Sequence, residues 1–251
     1  MRLLVTFEAL KDQSYEKLYH HKFQGFIYNL IRDTEYRRLH DMKKYKFFCF
    51  SNIYPIKPMK EHEKRNWIVS SPDSGFIKIL YSKLNEMKER GKEVRIGEYL
   101  FRIKELKMLR LKIKKKDLKL ITATPIIIRI PRYKYEKYGI KSKRKYEFWR
   151  PSHNFEAFVN QLEGNIFKKW KEFHSKEIDE FPLFEIYRFR KPVSNHLVID
   201  GNEIVVIGSL WEFHFSRLSQ EQKKILEFAV DCGFGERNTY GFGFVNLKSE
   251  S

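Results

Sequence analysis

The order in which the apolar patterns change period constrains this chain most, because the same order occurs twice. Residues 2–8 read as a short strand. Tyr15, Leu18, Tyr19, Phe23, Phe26, Ile27, Leu30 and Ile31 then recur at helical spacing. Residues 47–51 and 67–70 are strand-like. Asp73 or Ser74 can cap a helix that carries Phe76, Ile77, Leu80, Leu84 and Met87 and stops at Gly91. Residues 94–111 return as one or two strands.

The second half repeats the series. Residues 118–130 are a β-rich run ending at Pro131. Phe155, Phe158, Val159, Leu162, Ile166, Phe167 and Trp170 line one face of a helix. Two strands are expected at 184–189 and 197–215, with Asp200-Gly201-Asn202 as a turn signal inside the second stretch. Ser219 and Gln222 have capping-box spacing and open a last helix with Ile225, Leu226, Phe228 and Ala229 inward. Gly233 ends it, and 240–247 is the closing strand. Two β-α-β-β-α-β units predict an α+β protein of two tandem ferredoxin-like, RRM-like domains, residues 1–116 and 117–251. Fold alone does not name an activity.

Charge narrows the partner. Residues 102–119 hold nine basic and two acidic residues, and 132–150 hold eight and two, so +13 of the net +18 lies in two short stretches. Such a field attracts polyanions, nucleic acid first and an anionic membrane surface second. In 102–119 the charges alternate with apolar residues, as on a solvated strand. The 132–150 segment lacks that regularity and interleaves its cations with Tyr133, Tyr135, Tyr138, Tyr146, Phe148 and Trp149. Phosphates there would meet Arg132, Lys134, Lys143, Arg144 and Lys145, and bases can stack on the rings. No apolar run is long enough to span a bilayer, and no basic amphipathic helix dominates. Only Cys49 and Cys232 are present, far apart, so the expectation is a cytoplasmic protein with no disulfide framework, no metal site and no cofactor.

Four of the twelve glycines, Gly233, Gly235, Gly241 and Gly243, fall within eleven residues around Arg237. Glycines let backbone N–H groups approach an anion closely, and arginine is a natural phosphate contact. A helix, then G-x-G, then G-F-G-x-V resembles the C-terminal glycine-rich loop of the RAMP superfamily of CRISPR-associated RNA-binding proteins. The first helix carries Gln24-Gly25-Phe26-Ile27-Tyr28. His40 follows twelve residues after Tyr28, and Lys46 six after His40. These positions resemble the sixth Cas family, the endoribonucleases that process CRISPR repeat RNA in antiviral defence.

The resemblance implies an RNA endonuclease with His40, Tyr28 and Lys46 as catalytic residues and Gly233, Gly235, Arg237, Gly241 and Gly243 as an RNA-backbone cradle. RNA supplies its own nucleophile, the 2′-OH, so cleavage needs a base, an acid for the 5′-oxygen and a cation for the phosphorane, and no metal. Histidine, with an ordinary pKa near 6.5, serves as base or acid. Tyr28 is the proton partner or orients the phosphate, and Lys46 stabilises charge. The products are a 2′,3′-cyclic phosphate and a 5′-hydroxyl. The partner is a CRISPR repeat transcript; an effector complex and a homodimer are compatible with it. His20 and His21, two turns before Tyr28, stand where either can project toward the same cleft. The alternative is a non-catalytic RAMP-type RNA-binding subunit, which shares loop, charge and fold without needing the three residues.

Overall fold

The computed structural model describes residues 1–16, 19–114, 116–199 and 201–248; Leu18, Lys115 and Asp200 lie outside them. The first half runs β1 (Arg2–Ala9), α1 (His20–Leu30), β2 (Cys49–Phe50), β3 (Lys64–Ser70), α2 (Ser74–Glu89), β4 (Glu93–Ile96) and β5 (Tyr99–Leu109). These strands form an antiparallel sheet in the order β2-β3-β1-β5-β4. Leu3, Val5, Phe7 and Ala9 alternate along β1 toward a fully buried core with Phe23, Ile27, Trp67, Ile77, Leu84 and Phe101. The Asp73 carboxylate accepts from the Gly75 and Phe76 amides and starts α2, as its position predicts.

The second half runs β6 (Lys116–Thr122), β7 (Ile126–Ile127), β8 (Arg129–Pro131), β9 (Tyr146–Phe148), α3 (Phe155–His174), β10 (Ile186–Ile199), β11 (Asn202–Arg217), α4 (Gln220–Cys232) and β12 (Val245–Leu247). Its main sheet has the order β10-β11-β6-β12. Second, third, first, last is also the order of β2, β3, β1 and β5, so the two halves are tandem ferredoxin-like folds. The Ser219 capping box forms at the start of α4. Among the described residues no helix is long and apolar enough to cross a membrane.

Several boundaries differ from the sequence reading. Helix α1 starts at His20 and not near Tyr15, because the preceding segment has better partners. Gln13 exchanges backbone hydrogen bonds with Met59, and the Glu16 amide donates to the Tyr99 hydroxyl at 2.8 Å. Strand β10 continues through residues 190–196, paired with β11 from Ile186↔His214 to Ile199↔Asn202 with one bulge between Phe189 and Lys191. The strand expected over 47–51 shrinks to Cys49–Phe50, because Phe47 takes a left-handed backbone (φ 46°). The closing strand is only Val245–Leu247, because Asn238–Tyr240 forms a 3-10 turn and Gly241 and Gly243 have φ of 82° and 72°.

The halves are joined by buried polar contacts. The Arg2 guanidinium donates to Val230 O at 2.9 Å, Val245 O at 2.7 Å and Asn246 Oδ1 at 2.5 Å, and it pairs with Asp231. The Cys49 thiol donates to Phe242 O at 3.1 Å.

Candidate active site

Tyr28 projects from the last turn of α1, His40 follows a 3-10 turn (Arg37–Leu39), and Lys46 leads toward β2. The loop between them is pinned at its start. The Thr34 hydroxyl donates to Ile31 O at 2.7 Å, and the Tyr36 hydroxyl donates to Asp73 Oδ2 at 2.8 Å. The fold then brings the three residues together. Lys46 Nζ donates to the Tyr28 hydroxyl at 3.3 Å and to His40 O at 2.6 Å. The Tyr28 and His40 rings meet edge to face with centroids 4.8 Å apart.

Their environments differ. Burial pushes the Tyr28 phenol up to about 12, opposed by hydrogen bonding to the Thr239 and Gln24 side chains, so at neutral pH it is a protonated donor. Desolvation lowers the Lys46 ammonium below its usual range, opposed by Asp41. His40 is exposed, with Nδ1 2.8 Å from Asp41 Oδ1. A proton on Nδ1 directed at that carboxylate leaves the lone pair on Nε2, the tautomer a base requires.

Residues from the second half complete the surroundings. Gln24 Nε2 donates to Thr239 Oγ1 at 3.2 Å. A cavity of about 320 Å³ beside Lys46 is lined also by Lys44, Tyr45, Arg129, Lys169, Glu236 and Arg237. Arg237 holds a left-handed backbone (φ 58°), and its Nε is buried with no hydrogen-bond partner among the described residues. Arg129 pairs with Glu236 and lies over the Tyr146 ring at 4.9 Å, which joins the basic segment to the cavity rim. No group of three or more His, Cys, Asp or Glu with metal-binding geometry occurs among the described residues.

The glycines are placed differently from the expected cradle. The amides of Gly233, Gly241 and Gly243 donate inward, to Ala229 O, Asn238 O and Pro125 O. A Cβ on Gly235 would stand 2.6 Å from Ile127 O, one on Gly241 2.5 Å from the Phe50 ring, and one on Gly243 1.9 Å from Phe234 O. They permit close packing of the loop, and the Arg237 side chain lines the cavity. His20 is likewise drawn into the fold. It is stacked between Tyr19 and Phe242, with Nδ1 2.8 Å from Tyr240 O, and burial lowers it to about 4.

In the basic segment Arg132, Lys143, Arg144 and Lys145 are exposed and Lys134 is half-exposed. Tyr135, Tyr138 and Trp149 belong to the core and offer no face to a base, whereas Tyr133 is 79% exposed. Sequence reasoning missed Thr239, Arg129 and Lys169. Lys169 had a signal: it lies three residues after Ile166 and seven after Leu162, on the apolar stripe of α3.

A family model of the CRISPR-associated protein Cas6, C-terminal region, matches residues 103–247. A CRISPR-associated endoribonuclease Cas6 of Methanocaldococcus jannaschii is 32% identical over 258 residues, covering 98% of this chain and 99% of that protein. The chain belongs to the Cas6 family. A Cas6 endoribonuclease of Haloferax mediterranei is 28% identical, covering 100% of this chain and 95% of its own. A solved Cas6 structure superposes with a TM-score of 0.70 at 23% identity, covering 99% of each chain, which matches the fold.

Proposed function

We propose that this chain cleaves precursor CRISPR RNA within the repeat by metal-independent attack of the 2′-OH on the adjacent phosphorus. The observation that carries the reading is the convergence of Tyr28, His40 and Lys46, separated in sequence and joined by contacts of 2.6 to 3.3 Å. His40 Nε2 takes the 2′-OH proton as the new O–P bond forms. The 5′-oxygen leaves as its bond to phosphorus breaks, and the Tyr28 hydroxyl gives it a proton. The Lys46 ammonium offsets the charge that builds on the phosphorane. The products are a 2′,3′-cyclic phosphate and a 5′-hydroxyl. Arg237 and the basic residues of 132–150 hold the strand on either side of the cavity. In this reading residues 1–116 carry the chemistry and 117–251 hold the RNA, in the cytoplasm where the transcript is made.

The test replaces the 2′-OH at the cleavage position of a repeat RNA with hydrogen. The modified RNA should bind as tightly as the parent and remain uncut. Cutting at an unchanged rate would rule out the 2′-OH as the nucleophile.

A further inference from the structure

Lys169 is buried in the second core, and its three N–H donors meet three acceptors. These are Gly233 O at 3.0 Å, Gly235 O at 2.5 Å and Asn238 Oδ1 at 2.6 Å. Desolvation lowers its pKa, and the carbonyls answer the donors that burial strips of water. Gly233 is the residue that ends α4, so the ammonium also faces the negative pole of that helix.

Asn238 extends the network. While its Oδ1 accepts from Lys169, its Nδ2 donates to Phe234 O at 3.1 Å and Phe242 O at 2.9 Å. One ammonium and one amide therefore clamp both arms of the glycine loop. The next residue is Thr239, whose hydroxyl accepts from Gln24, one helical turn before Tyr28 on α1. The residue before is Arg237, facing the same cavity that Lys169 and Lys46 line.

On the reading of Tyr28, His40 and Lys46 as the catalytic cluster, we propose that Lys169 is a positioning residue for the cleavage. It occupies the centre of the glycine loop as a covalently attached cation. Through Asn238 it sets Thr239 against Gln24, one turn before Tyr28 on α1, which couples the second half of the chain to the chemistry in the first.

The test is a double-mutant cycle in single-turnover cleavage of a synthetic repeat RNA that the wild-type chain cuts, with Lys169→Met, Thr239→Val and the pair. Lys169→Met should slow the cleavage step about 100-fold at saturating RNA, the effect of roughly an ångström of misplacement. The RNA concentration for half-saturation should move by no more than about twofold, and the pair should be no slower than Lys169→Met alone. Amide hydrogen exchange should rise across 233–243 and stay unchanged in β1, β3 and β5. A cleavage step unchanged by Lys169→Met, or single effects that multiply in the pair, would overturn the proposal.

Should Lys169→Met fail to fold, Asn238→Ser cuts the network one group further on, leaves Lys169 its two carbonyls and carries the same cycle. If the wild-type chain cuts no repeat RNA, the assigned activity fails separately. The exchange measurement then still decides whether Lys169 holds the loop, with unchanged protection counting against it.

Discussion

The cluster around His40 and the glycine loop around Arg237 carry the two motifs of this chain, and they are built in opposite ways. His40 has a side chain 66% exposed and lies on a loop whose neighbours are mostly solvated. Gly233, Gly235, Gly241 and Gly243 are buried, and all four would drive a Cβ into protein atoms at 2.6 Å or less. A residue that must meet a substrate gains from exposure and adds little to stability. A residue that lets two halves of a chain approach works by leaving no space. Two motifs of one family therefore need not share a role: one marks the proposed chemistry, the other marks architecture.

Substitutions break that contrast in a definite order. His40→Ala should slow single-turnover cleavage about 10²–10⁴-fold, the range for loss of a general base, while thermal unfolding is unchanged. A matching fall in stability would show that His40 is part of the fold. Gly241→Val should do the reverse. Overpacking against Phe50 together with left-handed strain destabilises by about 3 kcal/mol, read as a lower denaturant midpoint; an unchanged midpoint would return the loop to the surface.

His20 sharpens the architectural side through pH. Its pKa falls from 6.5 to about 4 on folding, so between those values the unfolded chain binds the extra proton. Stability therefore rises with pH across that window and is lost as pH falls through it, by at most about 3 kcal/mol for this group. His20→Phe keeps a ring between Tyr19 and Phe242 and should flatten the pH dependence of unfolding from 6.5 to 4. An undiminished slope would place the acid sensitivity elsewhere. Arg237→Ala has the smallest expected effect, about tenfold weaker RNA binding with a shallower salt dependence, as for one charge-assisted contact. Binding that is unchanged at low salt would remove Arg237 from the RNA path.

The sequence carried the fold where period was clean. The strand over 2–8, the helix from Asp73, the capping box at Ser219 and the doubled element order are local signals, and each is present. It failed where a tertiary contact outweighed a pattern. Tyr15 fits the helical stripe, yet Gln13 and Glu16 bond to Met59 and Tyr99. Residues 190–196 lack alternation, yet 191–196 pair with β11 beyond a bulge at Arg190. The spacing of Tyr28, His40 and Lys46 was legible because the chemistry proposed for them calls for those residue types. Thr239 and Lys169 were not read as parts of the site, because a threonine in a loop and a lysine on a helix acquire meaning only from what the fold sets beside them. The stacking role expected for Tyr135, Tyr138 and Trp149 fails for the same reason, since an aromatic between cations serves the core as readily as a base.

The most direct measurement is end-group analysis of repeat RNA incubated with the purified chain in excess EDTA. The account predicts undiminished cleavage, a 2′,3′-cyclic phosphate on the upstream fragment, a 5′-hydroxyl on the downstream one, and cleavage slowed about 10²–10⁴-fold with His40→Ala. Cleavage abolished by EDTA, a 5′-phosphate end, or full activity of His40→Ala would contradict it.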